Sequence, residues 1–233
     1  MKSLYREPVR REELAWGALE FHDVFRIYRS GPAETVALRG LELRIEPGEF
    51  VAVFGPSGSG KSTMLRLAAG LEQPSAGEVR ALGVSLGRLD DSGLSDYRAG
   101  RLALVLQSGN LWPELTAREN VDLGVRLAGR KNGDSREALK AFGLEHAAGR
   151  RAGILSGGEQ QRVAIAAAAA RQAPLVLADE PTAELDEENE TLVLDALRRL
   201  RDDHGSTVIT VTHSPRVAEA VDRVVEIRDG RVG

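Results

Sequence analysis

The stretch EFVAVFGPSGSGKST at 49–63 constrains the fold more than any other part of the chain. EFVAVF (49–54) is an almost unbroken apolar run, the pattern of a strand covered on both faces. It enters Gly55-Pro56-Ser57-Gly58-Ser59-Gly60-Lys61-Ser62-Thr63, which fits G-x-x-x-x-G-K-[ST], and KSTMLRLAAGLE then reads as a helix that Gly70 weakens or ends. The glycines let the backbone curl with its N–H groups pointing inward around a phosphate at a helix N-terminus. Lys61 brings a charge to the β- and γ-phosphates, and the Ser62 hydroxyl is placed to ligate Mg²⁺. A chance glycine-rich turn would lack this flanking strand and helix.

The remaining pattern agrees with an α/β fold. LELRI (41–45) alternates as a half-buried strand, and GEVRALG (77–83) reads as another short one. PLVLADE (174–180) and TVITVTH (207–213) are buried-type strands, and VVEIRDGRV contains an Asp229-Gly230 hairpin turn. Between them a helix is expected over about 187–203. Its acids (Glu187, Glu188, Glu190) come first and its arginines (Arg198, Arg199, Arg201) last, which suits the helix dipole. Leu192, Val193, Ala196, Leu197 and Leu200 are expected on its buried face. Alternating strands and helices imply a mostly parallel sheet with its ligand beyond the strand C-termini. From about 90 to 155 charges and glycines increase and short helical segments dominate. The expectation is one domain over 1–233, with a core at 17–89 and 156–233, an inserted helical lobe at 90–155 and an N-terminal extension at 1–16.

Three further strand ends point at the same edge. Asp179 is placed to hold the magnesium and Glu180 to accept a proton from an attacking water, although an Asp-Glu pair alone also suits a solvated turn. His213 is in reach of a terminal phosphate if its strand is parallel to that of Asp179; a lone histidine is more often structural. Gln107 ends RLALVLQ and is a candidate for metal or water, against the plainer reading of a surface amide. A guanine-nucleotide hydrolase would need an N-K-x-D run, and none occurs. A small-molecule kinase also shares the phosphate loop, but neither explains LSGGEQQR (155–162), a second glycine turn opening a helix.

Composition narrows the partners. A net charge of −4 gives no electrostatic case for nucleic acid. With no cysteine there are no disulfides, no thiolate metal site and no cysteine nucleophile, which fits a reducing compartment. The N-terminus MKSLYREPVRREELAWG has no apolar core of a secretory signal, and VAIAAAAA (163–170) is far short of the ~20 residues of a membrane span.

With LSGGEQQR about a hundred residues after the phosphate loop, then LVLADEPT and a strand-terminal histidine, the chain resembles the nucleotide-binding subunits of ABC transporters from about residue 19 to its end. The resemblance implies a P-loop NTPase core, an antiparallel N-terminal β part and a helical subdomain, with ATP and Mg²⁺ as ligands. By position it implies Tyr28 as the aromatic that stacks on adenine, Gly55 to Thr63 as the phosphate loop and Gln107 as the Q-loop glutamine. It likewise implies Leu155 to Gln160 as the signature (with Ser156, Gly157, Gly158 and Glu159 serving nucleotide) and Asp179 as the Walker B aspartate. Glu180 becomes the catalytic base, Glu184-Leu185-Asp186 the D-loop and His213 the switch histidine.

In this family two subunits pair head to tail around shared ATP, so a homodimer bound to integral-membrane permeases on the cytoplasmic face is expected. GPSGSGKSTMLRLAAGLEQPSAGEV and NLWPELTARENV are most similar to the lipoprotein-release and macrolide-export branch, implying export or extraction. Departures are Gly109 in place of a phenylalanine, a shortened stretch from Asn120 to Leu155, Ala167 in place of an arginine, and PTAELD. The competing readings are a regulatory module that binds ATP with little turnover, and a soluble ATPase working outside transport.

Overall fold

The computed structural model describes residues 16–31, 33–130 and 133–233. The expected extension at 1–16 therefore lies outside the described residues, apart from Trp16. Two sheets organise the chain. Strands β1 (Leu19–Ser30), β2 (Ala33–Ile45), β4 (Ala76–Ala81) and β5 (Val84–Ser85) form an antiparallel sheet ordered β2-β1-β4-β5. The other sheet runs β10-β9-β3-β8-β7-β6, from β10 (Arg231–Val232), β9 (Arg223–Arg228), β3 (Phe50–Phe54), β8 (Thr207–Thr212), β7 (Leu175–Asp179) and β6 (Leu102–Val105). Its strands are parallel except β10, which returns from β9 through a turn with Asp229 at φ 48° and Gly230 at φ 76°. Two positive φ angles make this the hairpin turn expected of Asp-Gly.

The apolar runs divide by alternation. Val51, Val53, Leu175, Leu177, Ile209 and Val211 face the antiparallel sheet, with helix α1 (Lys61–Ala68) packed between through Met64, Leu65 and Leu67. Phe50, Ala103, Val105, Val176, Ala178 and Val208 face the opposite side. There they meet helices α3 (Ala117–Leu127), α4 (Ser135–Ala141), α5 (Gly157–Ala170) and α6 (Glu187–His204). A strand covered on both faces has no polar side to present, which is why β3, β6 and β7 are almost continuously apolar, while β8 buries threonines between its valines and isoleucine. Two further α-helices are α2 (Asp91–Gly100) and α7 (Pro215–Glu219).

Two details differ from the sequence expectation. Strand β6 falls inside the span 90–155, yet it pairs with β7 as the edge of the main sheet. On α6, Val193, Ala196, Leu197 and Leu200 are buried as expected, but Leu192 is 42% exposed and Leu194 is buried instead, against Ala52 and Val217. The reason is a second contact: α7 covers a flank of α6 that a one-sided helix would leave to water.

Candidate active site

The phosphate loop joins β3 to α1 by two close approaches that only glycine permits. A side chain on Gly55 would strike the backbone carbonyl of Ile227 in β9. Gly60, at φ 104°, lies so close to β2 that an added Cβ would sit 2.6 Å from the Ala37 carbonyl. Ala37 is the residue skipped where β2 pairs with β1, between Arg26↔Leu38 and Ile27↔Val36, so a bulge supports the loop from below. A cavity of about 500 Å³ opens above it, lined by Gly55, Ser57, Ser59 and His213 among others. Lys61 is buried and its Nζ donates to the carbonyls of Gly55 (2.7 Å) and Pro56 (2.9 Å). The buried Ser59 hydroxyl has no hydrogen-bond partner among the described residues. Gly58 has open space where a Cβ would stand. A glycine loop opening a helix, with an orphan hydroxyl and an ammonium beside it, fits a polyphosphate.

Asp179 ends β7 beside this loop and accepts a hydrogen bond from the Ser62 hydroxyl. Burial, then the charge of Glu180, push its carboxyl above the ordinary range; the Ser62 bond, Arg66 and Lys61 oppose this incompletely. An oxygen-only pair at a site that disfavours bare negative charge suits a hard divalent cation. Glu180 follows with φ 48°, a left-handed conformation that a glutamate rarely adopts. Its amide still donates to Val211 O (2.9 Å), but the turn sends its carboxylate to His213, whose Nδ1 lies 2.8 Å from Oε1. The two acids thus part: one stays beside Ser62, the other turns to the histidine.

Gln107 is exposed at the end of the β6 loop, and its Nε2 donates to Glu184 Oε1 (3.2 Å). None of its described hydrogen bonds goes to Ser62 or Asp179. Its backbone carbonyl accepts from Gln161 Nε2 of α5 (2.8 Å), which ties this loop to that helix. Tyr28 donates its hydroxyl hydrogen to Glu72 Oε2 (2.7 Å) and lies 3.5 Å from Thr63 Oγ1, the end of the phosphate loop.

The second glycine turn caps α5. The Ser156 hydroxyl accepts from the Glu159 amide, and the Glu159 carboxylate accepts from the Ser156 amide (2.9 Å), a reciprocal capping box. His146 and Arg150 also reach Glu159, at 3.2 and 3.4 Å. Burial pushes this carboxyl up, but the Ser156 amide, His146 and Arg150 outweigh it and hold it below the ordinary range. Gly157 and Gly158 face the segment after Asp179-Glu180: Cβ atoms there would meet Leu185 at 3.5 Å and Asn189 Cβ at 2.9 Å. Among the described residues, no hydrogen bond or close contact joins Ser156–Glu159 to the loop at 55–63.

The sequence did not single out Glu72, Asn189, His146 or Arg150. Only Asn189 carried a local signal, standing three residues after the Asp186 N-cap to which its amide donates (2.8 Å).

Comparison with known proteins agrees with this geometry. The family model described as ABC transporter matches residues 38–183. The lipoprotein-releasing system ATP-binding protein LolD of Anaeromyxobacter dehalogenans is 43% identical over 226 residues, covering 95% of each chain. The macrolide export ATP-binding/permease protein MacB of Rhodopseudomonas palustris is 42% identical over 94% of this chain but only 34% of its own length. Among solved structures, the ATP-binding cassette MJ0796, dimeric and bound to ADP and Pi, superposes with a TM-score of 0.84 at 39% identity, over 92% of this chain and 96% of that one. The chain belongs to the ABC transporter family, as an ATP-binding and ATP-hydrolysing subunit that powers a membrane transporter.

Proposed function

We propose that two copies pair head to tail, each ATP lying between the phosphate loop of one and Ser156-Gly157-Gly158 of the other. The observation that carries this is the separation within one chain of the loop at 55–63 from the second glycine turn, both shaped to offer amides to an anion. The relative MJ0796 has been solved as a dimer. In this reading Lys61 and the loop amides hold the β- and γ-phosphates, while Ser62 and Asp179 hold Mg²⁺, which neutralises charge on the phosphates when bound. Glu180 takes the proton of the water that attacks the γ-phosphorus, and ADP leaves. His213 fixes the carboxylate of Glu180 and reaches toward the same phosphate. Gln107, joined to Glu184 and to α5, relays occupancy between the β6 loop and the signature helix. Tyr28 stacks on the adenine.

The chain is read as one cassette whose lobe is formed by α3 and α4, peripheral on the cytoplasmic face of a membrane through a permease. Among the described residues no helix is long and apolar enough to cross a membrane. Similarity to proteins named for lipoprotein release and macrolide export supports a step that extracts or exports a molecule. Co-purification with a multi-span membrane protein is the expected result.

The pairing is tested by kinetics. Specific ATPase activity should rise with protein concentration, and Glu180→Gln should lower turnover ~10²–10⁴-fold, the usual worth of a general base. Ser156→Arg should abolish hydrolysis while a single protomer still binds ATP. Normal turnover by that variant rejects the shared site.

A further inference from the structure

Tyr28 is held from two sides. Alternation along β1 puts Arg26 and Tyr28 on one face of the strand, and the Arg26 guanidinium sits over the Tyr28 ring, 4.6 Å from its centre. Both side chains converge on Glu72, which follows the Gly70 turn after α1. Its Oε2 accepts from the Tyr28 hydroxyl (2.7 Å) and from Arg26 Nε (3.0 Å), and its Oε1 lies 3.7 Å from Arg66 Nη1. Arg26 Nη1 also donates to the Gln73 carbonyl (3.1 Å). Arg26 and Glu72 are only 24% and 20% exposed, so the pair is shielded from free solvation.

Two consequences follow. Arg26 occupies one face of the ring, so a planar ligand would have to stack on the other. The hydroxyl is tied to a residue anchored just beyond α1, so the ring cannot swing independently of the phosphate loop that opens the same helix. A side chain locked before binding loses less rotamer freedom when a base arrives.

We propose that Glu72 is a positioning residue for nucleotide binding: with Arg26 it clamps Tyr28 so that the open ring face meets the purine of a triphosphate seated in the phosphate loop. This rests on the reading of Tyr28 as the base-stacking residue.

The test uses the full chain, with KM for ATP, kcat and the inhibition constant of inorganic triphosphate, which engages the loop but has no base. Glu72→Ala and Tyr28→Phe should each raise KM roughly 3- to 10-fold, the worth of one net hydrogen bond, without a matching fall in kcat. The double variant should be no worse than the poorer single, because both cut the same tether. Glu72→Gln keeps an acceptor and should fall between Glu72→Ala and the parent. Triphosphate inhibition should stay at its parent value throughout. Additive effects in the double variant, or equal weakening of triphosphate, would overturn the clamp. If Glu72→Ala unfolds, Glu72→Gln and Tyr28→Phe carry the same comparison. Tyr28→Ala separates the two levels. A raised KM there with none in Glu72→Ala or Tyr28→Phe rejects the clamp alone, whereas an unchanged KM in Tyr28→Ala rejects base stacking and the clamp together.

Discussion

Asp179 and Glu180 are chemically near-equal neighbours that the backbone sends to different tasks. Asp179 stays on the strand, half-buried against Ser62, while the φ of 48° at Glu180 turns the next carboxylate to His213. The raised pKa of Asp179 has a consequence for stability. Its native form binds a proton more tightly than the unfolded chain does, so its contribution falls as pH rises from the ordinary 3.8 through the native value, and the penalty persists at neutral pH. Asp179→Asn should therefore raise the Tm of the nucleotide-free protein at pH 7 while abolishing Mg²⁺-dependent hydrolysis. Thermal melts with and without Mg²⁺ and ADP check both; a lowered Tm in the nucleotide-free variant contradicts the desolvation argument. The sequence placed both acids at a strand end, but nothing in it foretold the left-handed turn that separates them.

Helix α5 runs from the second glycine turn into a packed alanine face. A capping box holds its start: in LSGGE the serine and glutamate stand at the spacing that satisfies two orphan amides, where the sequence analysis reaches only a glycine turn opening a helix. The run of alanines after it serves packing: Ala167 faces Gly124 of α3, where an added Cβ would sit 3.6 Å from Ala167 Cβ. A longer side chain pointing into that contact would force the helices apart, which gives Ala167 a local rationale in this chain. At the other end, Gly158 touches Asn189, which accepts from Arg162 Nη1 (3.3 Å) and donates to Asp186 Oδ1 (2.9 Å). Gly158→Ala should displace Asn189 and loosen the start of α6. The expected outcome is a lowering of hydrolysis by tenfold or more (~1.4 kcal/mol) with nucleotide binding by the monomer retained. Equilibrium binding and turnover of the variant test this, and equal loss of both would place the damage elsewhere.

At the scale of the whole molecule, carboxylates held below their ordinary range outnumber, among the described residues, the one raised at the site. Glu20 is lifted by burial but lowered further by the Gly17 amide, His22 and Arg44; Glu78 is lowered by Arg80, Glu119 by Thr116, and Asp186 by Asn189. Glu159 joins them. Each contributes stability that is present above its unfolded pKa and lost as pH falls through its native one. The Tm should thus be nearly level from pH 7 to about pH 5 and fall progressively as pH drops through 4.5, the ordinary glutamate value, and below. A Tm that rises on acidification in this window would show that the Asp179 contribution dominates.

The sequence by itself determined whatever depends on consecutive backbone: a glycine loop between a doubly covered strand and a helix, a second glycine turn opening a helix, an Asp-Gly hairpin and the parallel order implied by alternating elements. These are local, because φ angles and amide directions are set by neighbours in the chain. Tertiary structure alone decided the pairings between distant side chains. His213 meets Glu180 across 33 positions, Tyr28 meets Glu72 across 44, and Gln107 meets Glu184 across 77. It also decided that β6 closes the sheet edge and that α7 covers Leu194. Such contacts depend on register and on which helix flank another element covers, and no short window of sequence carries that information.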